Sequence, residues 1–218
     1  MSSDPRSAVL HRIQKALGKG DVTPSGRAAS LWQAIPRGYD QAAGLLAAEI
    51  LDRLEERLID YDAEVTRVGA DEVAAVLQAI LLARGDRPMV APAGFPRAWW
   101  PQGVSLVEDH GLSNRELDRF EGVLTGATVA IAETGTLVLQ NVPGEGRRAA
   151  TLVPDFHLCV VRAADVVQNV PEAFVRLQAT ATLPTTFVSG PSATADIEMT
   201  RIKGVHGPRF LHVVLAGV

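Results

Sequence analysis

Short, almost wholly apolar runs alternate with helix-patterned segments along most of this chain, and that alternation limits its fold more than any other feature. "AEVTRV" (63–68), "PMVAP" (88–92), "VSLVE" (104–108), "HLCVVR" (157–162), "TTFVS" (185–189) and "RFLHVVLA" (209–216) read as strands. Runs with so few polar positions have no solvent-facing side, so they belong in a mainly parallel sheet covered on both faces. Helices are predicted between them. Over residues 40–59, Leu46, Ile50, Leu54 and Leu58 recur at four-residue spacing while Glu49, Asp52, Arg53, Glu55 and Glu56 take other faces. Residues 71–83 form a second helix with Asp71 as its cap, and residues 169–179 a third. "ATVAIAETGTLVLQ" (127–140) reads as two strands about a Thr-Gly turn, a tight hairpin inserted in the sheet.

The first 39 residues differ. Residues 5–17 form an amphipathic helix with Val9, Ile13, Ala16 and Leu17 near one face and Gly18 stopping it. Residues 18–38 are rich in Gly, Pro and Ser, which predicts an irregular arm. The expected division is therefore 1–39, an N-terminal helix and arm, and 40–218, an α/β domain.

The net charge of −4 and the lack of a basic stripe give no general attraction to nucleic acid or to an anionic membrane surface. Charged residues interrupt the N-terminal apolar windows, against a signal peptide, and no run approaches the roughly 18–20 apolar residues of a membrane span. The expected location is the cytoplasm. A single cysteine, Cys159, is too few for a cysteine-ligated cluster or structural zinc site, and it lies in an apolar run where it reads as a small hydrophobe. No P-loop and no G-x-S-x-G elbow is present. Gly144-Glu145-Gly146-Arg147-Arg148-Ala149 fits a loose G-x-G-x-x-A pattern with Asp165 beyond it, but Pro143 and Pro154 crowd it on both sides. It reads as a mobile surface loop and not a dinucleotide site. His110, His157, His206 and His212 have no zinc-ligand spacing and read as structural histidines.

Three stretches remain. In "AIAETGTLVL" (130–139), Glu133 stands where an apolar strand ends, beside Thr134, Gly135 and Thr136. It is either a group facing a cleft at a strand's carboxyl end or a polar hairpin tip whose Gly135 supplies a positive φ. In "SGPSATADIE" (189–198), a strand end, a Gly190-Pro191 turn and a helix start are predicted. Either Ser192 simply caps that helix, with Asp196 and Glu198 complementing its dipole, or the amides of Ser192, Ala193 and Thr194 hold an anion that Gly190 lets approach. In "GVHGPRFLHVV" (204–214), His206 is either part of a sharp turn walling a cleft or an acid–base group.

Taken together, "LTGATVAIAETGTLVL", "SGPSATADIE" and "KGVHGPRFLHVVL" resemble the LUD-domain family, and within it the small members of the lactate utilization C type. The resemblance is close over about residues 120–216, loose over 40–110 and slight over 1–38. It implies an α/β three-layer sandwich like that of ribose-5-phosphate isomerase, glucosamine-6-phosphate deaminase (NagB/RpiA) and the CoA transferases. It also implies a role in bacterial oxidation of L-lactate to pyruvate by three proteins, two of which carry the iron–sulfur clusters. This chain would be the cluster-free component, with no cofactor or metal of its own, binding a small anionic metabolite or those iron–sulfur partners. The CoA transferases carry a nucleophilic glutamate in a short Glu-Asn-Gly stretch. Glu133-Thr134-Gly135 is similar, with threonine in place of asparagine, and this leaves a transferase or isomerase acting on an acyl-CoA or sugar phosphate as the alternative. The candidate site read from the three stretches comprises Glu133 and His206 as candidate catalytic groups. Thr134, Gly135, Thr136, Gly190, Pro191, Ser192, Ala193, Thr194 and Asp196 are the candidate ligand-binding positions.

Overall fold

The computed structural model describes residues 5–17, 26–40, 44–85, 87–194, 202–203 and 207–218. The chain divides into two units, Met1–Tyr39 and Asp40–Val218. In the first, helix α1 (Pro5–Ala16) has no buried residue. Helix α2 (Gly26–Gln33) corrects the expectation of an irregular arm over its part of 18–38, while residues 18–25 lie outside the described residues. After Gly26 no glycine or proline interrupts the chain until Pro36, and three of the intervening residues are alanine, the best helix former.

The second unit begins with helix α3 (Ala47–Asp60), strand β1 (Glu64–Val68), helix α4 (Val73–Ala83) and strands β2 (Met89–Pro92) and β3 (Leu106–Asp109). Helix α5 (Asn114–Leu117) leads to strands β4 (Gly122–Gly126), β5 (Val129–Ile131), β6 (Thr136–Gln140), β7 (Phe156–Arg162) and β8 (Val166–Val167). Helix α6 (Val170–Leu177) precedes β9 (Thr185–Val188), β10 (Ala193–Thr194), β11 (Ile202–Lys203) and β12 (Phe210–Ala216). Two helix starts differ from the sequence pattern. α3 begins at Ala47 because the Glu49 carboxylate accepts the Leu46 N–H at 2.7 Å, and α4 follows Glu72, not Asp71, with the Glu72 carboxylate accepting the Gly69 N–H at 3.2 Å.

Six strands in the order β1-β12-β7-β4-β2-β3 form one sheet, parallel throughout. Alternate residues of β7 and β12 serve its two faces, as strand geometry requires. On one face Val73, Leu77 and Leu81 of α4 pack against Phe156, Leu158, Val160 and Val214. On the other, Leu54 and Leu58 of α3 pack with Cys159, Val161, Val213 and Leu215. The Cys159 thiol is wholly buried there and burial pushes its pKa up to about 12, so it behaves as an apolar side chain.

The β5–β6 hairpin exists, with Val129 opposite Val138 and Ile131 opposite Thr136, but it is not inserted in the parallel sheet. It forms the centre of a second, mixed sheet in the order β8-β5-β6-β9. Its apolarity on both sides has a different cause from that of the parallel strands. Ala130, Leu137 and Leu139 face the α3 core, whereas Val129, Ile131 and Val138 face Ala173 and Leu177 of α6. The strand at 185–189 likewise belongs to this second sheet, antiparallel to β6.

Candidate functional site

The predicted helix start in "SGPSATADIE" is absent among the described residues. Ala193 and Thr194 pair antiparallel with Lys203 and Ile202, so the backbone here is extended. The Ser192 N–H is donated to the Pro208 carbonyl at 2.8 Å and is not open to a ligand. An anion held by three helix amides therefore has no basis in this geometry; the chain gains a cross-link to the Gly207-Pro208 turn instead. Asp196 and His206 lie outside the described residues.

The two C-terminal stretches nevertheless meet. Gly190, Pro191, Ser192 and Ala193 line a cleft of about 230 Å³ together with Gly207 and Pro208. Gly190 has φ of 80°, and a Cβ on it would stand 2.6 Å from Tyr61 Cβ, so both the turn and the contact with the residue after α3 require glycine. The cleft opens beside the amino ends of β7 and β12, through His157 and Leu211, not at the carboxyl ends where α/β sheets usually bind ligands.

His157 and Arg148 give this cleft its chemistry, and neither stands out in the sequence. His157 is buried, and its Nε2 is 2.7 Å from Thr125 Oγ1. Burial, reinforced by the positive charge of Arg148, lowers its pKa to about 4, so the ring is neutral near pH 7. Arg148 follows Arg147, and the pair divides its work. Arg147 Nε donates to Asp109 at 2.9 Å. Burial alone would raise the Asp109 pKa, but Arg147 and the amides of Leu112 and Gly111 outweigh it and hold the carboxyl below its usual value. Arg148 is exposed and lines the cleft, the one ionised side chain among its described lining residues.

The 144–149 stretch is not a loose surface loop. Glu145 is buried, accepting the Thr128 hydroxyl at 2.7 Å and the Gln140 N–H, and Gly126 N–H donates to the Gly144 carbonyl at 2.8 Å. Burial raises the Glu145 pKa against these hydrogen bonds.

Glu133 is exposed at the end of β5 and does not line the cleft. Its N–H donates to the Gln168 carbonyl at 3.0 Å, and its Oε1 accepts from Gln168 Nε2 at 3.2 Å. Gly135 has φ of 57°, and a Cβ there would meet Arg57 of α3 at 2.9 Å, which fixes the hairpin against that helix. A hydroxyl chain connects this turn to the cleft. Thr134 Oγ1 is 2.8 Å from Thr136 Oγ1, which is 2.8 Å from Ser189 Oγ, and Ser189 lines the cleft.

Two further histidines have partners. His212 Nε2 is 2.9 Å from Thr66 Oγ1 and Nδ1 is 3.2 Å from Glu64, while His110 is exposed 3.9 Å from Glu108. Among the described residues no group of three or more His, Cys, Asp or Glu side chains is placed to hold a metal ion. No described helix is long and apolar enough to cross a membrane.

The burial of His157 predicts a pH-dependent stability. Its pKa is about 4 in the fold against 6.5 normally, so the unfolded chain takes up the proton first as pH falls. The contribution is complete above about pH 6.5 and is lost progressively down to about pH 4, at most roughly 3 kcal/mol. Chemical denaturation at pH 7.5 and 4.5 should show a larger loss for wild type than for His157→Gln. Equal losses would mean that His157 is not held neutral.

The pattern of the LUD domain matches residues 7–216. Lactate utilization protein C of Deinococcus radiodurans is 46% identical over 183 residues, covering 82% of this chain and 85% of the relative. Lactate utilization protein C of Geobacillus thermodenitrificans is 27% identical over 224 residues, covering 93% and 92%. The crystal structure of a DUF162 family protein from Deinococcus radiodurans superposes with a TM-score of 0.68 at 43% identity, covering 79% of this chain and 99% of that one.

Proposed function

The chain belongs to the LUD-domain family, and on that premise we propose that it is a component of a lactate utilization system that binds a small anionic metabolite and carries no redox cofactor of its own. The names of its relatives support the pathway. The cleft supports the ligand class. Its floor is a neutral histidine and its one described ionised group is Arg148, so the net local charge favours an anion. Ser189 and Ser192 add polar groups at a rim whose glycines let a ligand come close to backbone. Residues 40–218 are the working domain in this reading, in the cytoplasm, and the iron–sulfur proteins of the same pathway are its partners. The parallel sheet with α4 on one face supports a relation to the NagB/RpiA and CoA transferase sandwiches. A transferase or isomerase reading finds less support, because Glu133 lies outside the cleft lining and is engaged by Gln168.

Two measurements test this. Lactate-dependent reduction of an electron acceptor, reconstituted with the partner proteins, should collapse when this chain is omitted and persist with the chain present. Titration with inorganic phosphate should show binding weakened about tenfold or more by Arg148→Ala, the loss of one charge-assisted contact. Undiminished lactate oxidation without the chain overturns the pathway role. Undiminished phosphate binding in the variant overturns the cleft.

A further inference from the structure

We infer that the crevice at the carboxyl ends of β2, β4 and β7 is a second ligand site, taking a small carboxylate with a hydroxyl or keto oxygen beside it, held by Arg162 and Glu145. It goes beyond the proposed function, since it shares no lining residue with the His157–Arg148 cleft.

The topology marks the place. From β2 the chain moves outward to the edge strand β3, then returns to β4 on the other side of β2 and continues to β7 and β12. The connections after β2 and β4 therefore leave in opposite directions. A crevice opens between the carboxyl ends of such strands, and open α/β sheets bind ligands there. A cavity of about 180 Å³ occupies this position, walled by Trp99, Gly126, Gly144, Glu145, Val160 and Arg162. That is smaller than the roughly 300–1,000 Å³ of drug-sized pockets, so the ligand is small. Its far wall is fixed in place. Gly94 and Gly144 have φ of 82° and 87°, and a Cβ on Gly94 would stand 2.5 Å from Pro143 Cβ.

Two groups define the chemistry. Glu145 is the buried acid, oriented by the Thr128 hydroxyl at 2.7 and 2.9 Å and by the Gln140 N–H. A carboxyl has about four acceptor positions, so these bonds do not exhaust it, and in its protonated form it also donates. Arg162 stands at the mouth. Its Nε pairs with Asp165 at 2.6 Å, and Asp165 is shared with Arg176 at 3.9 Å, so Asp165 does not neutralise Arg162 alone. An entering carboxylate meets Arg162, and its neighbouring oxygen accepts a hydrogen bond from Glu145. A second anionic group on the ligand would face Asp165 and Glu145 and is disfavoured. Trp99 and Val160 suit a short apolar remainder.

Binding should take up a proton. The titratable and charged groups around Glu145 are Asp165, which raises its pKa, Cys159, which is neutral, and Arg162 on the same cavity. Burial already raises the Glu145 pKa, and a bound carboxylate raises it further.

Calorimetric titration of the full chain with L-lactate, pyruvate and propionate at about pH 5.5 and 7.5 tests this. Lactate or pyruvate should bind saturably, more tightly at the lower pH, and propionate, which lacks the second oxygen, about tenfold more weakly, or ~1.4 kcal/mol. Arg162→Gln should weaken binding at least tenfold at both pH values. Glu145→Gln should bind with the same affinity at both, because its amide does not titrate. Circular dichroism checks folding, and should Glu145→Gln fail to fold, the propionate and Arg162→Gln results decide. No saturable binding of either oxygenated acid, equal binding of propionate, no effect of Arg162→Gln, or pH dependence kept in folded Glu145→Gln each overturns the inference.

Discussion

Gly122→Ala should destabilise the protein by about 3 kcal/mol, the upper end of what overpacking costs. The added Cβ would stand 2.5 Å from the Phe156 carbonyl oxygen, 2.8 Å from Met89 Sδ and 2.9 Å from Met89 Cε. Met89 can yield a little, but the carbonyl belongs to β7, which pairs with β4 in the middle of the parallel sheet. Relief requires β4 to move away from β7 and so disturbs the ladders on both sides. In a chain of this size the loss corresponds to a fall in Tm of roughly 6–12 °C. Gly38→Ala, where nothing lies within 4 Å of the new Cβ, is the control and should fall within about 0.5 kcal/mol of wild type. A melting temperature for Gly122→Ala equal to that of Gly38→Ala would show that β4 is not held so tightly.

Leu58→Ala should cost as much, about 3–4 kcal/mol, by a different route. Leu58 is fully buried where α3, the hairpin and the parallel sheet converge. Its removal leaves a void whose lining comes from three elements, and a site built that way collapses poorly, which puts the cost in the upper part of the usual 2–5 kcal/mol range. Urea denaturation should show a lower midpoint with an unchanged slope. Leu82→Ala, at an exposed position of α4, should change stability by less than about 0.5 kcal/mol. If the two variants melt alike, α3 is not docked as described.

Strands β2, β7 and β12 were legible because their apolarity has one cause, burial on both faces of the parallel sheet. The hairpin misleads for the same reason. Val129 and Ala130 are both buried, but one faces α6 and the other α3, and no local pattern distinguishes a second sheet from a place in the first. β4 escapes notice because "GVLTG" has glycine at each end, although Gly122 is there for close approach to β7. "SATAD" carries good cap residues and favours a helix start locally, yet the Ser192 amide is claimed by Pro208, a partner distant in sequence. The juxtaposition of Gly190-Pro191 with Gly207-Pro208 follows the blocks that carry the family resemblance. Arg148, His157 and Glu145 were not legible as site residues. Glu145 and Arg148 lie in the segment between β6 and β7, whose path no spacing within it announces, and His157 on β7 meets Arg148 only through that path.

The hydroxyls of Thr134, Thr136 and Ser189 form a relay in which each oxygen has a single proton to give. If Thr136 donates to Ser189, the Ser189 proton is released and the cleft sees a donor. If Ser189 donates to Thr136, then Thr136 turns to Thr134, whose hydroxyl and carbonyl are both within reach, and the cleft sees only lone pairs. The cleft thus has two polarities with the same heavy-atom positions, and the choice is shared with the hairpin turn beside Glu133. A ligand that offers a proton at Ser189 and one that demands it would fix this chain of bonds in opposite senses.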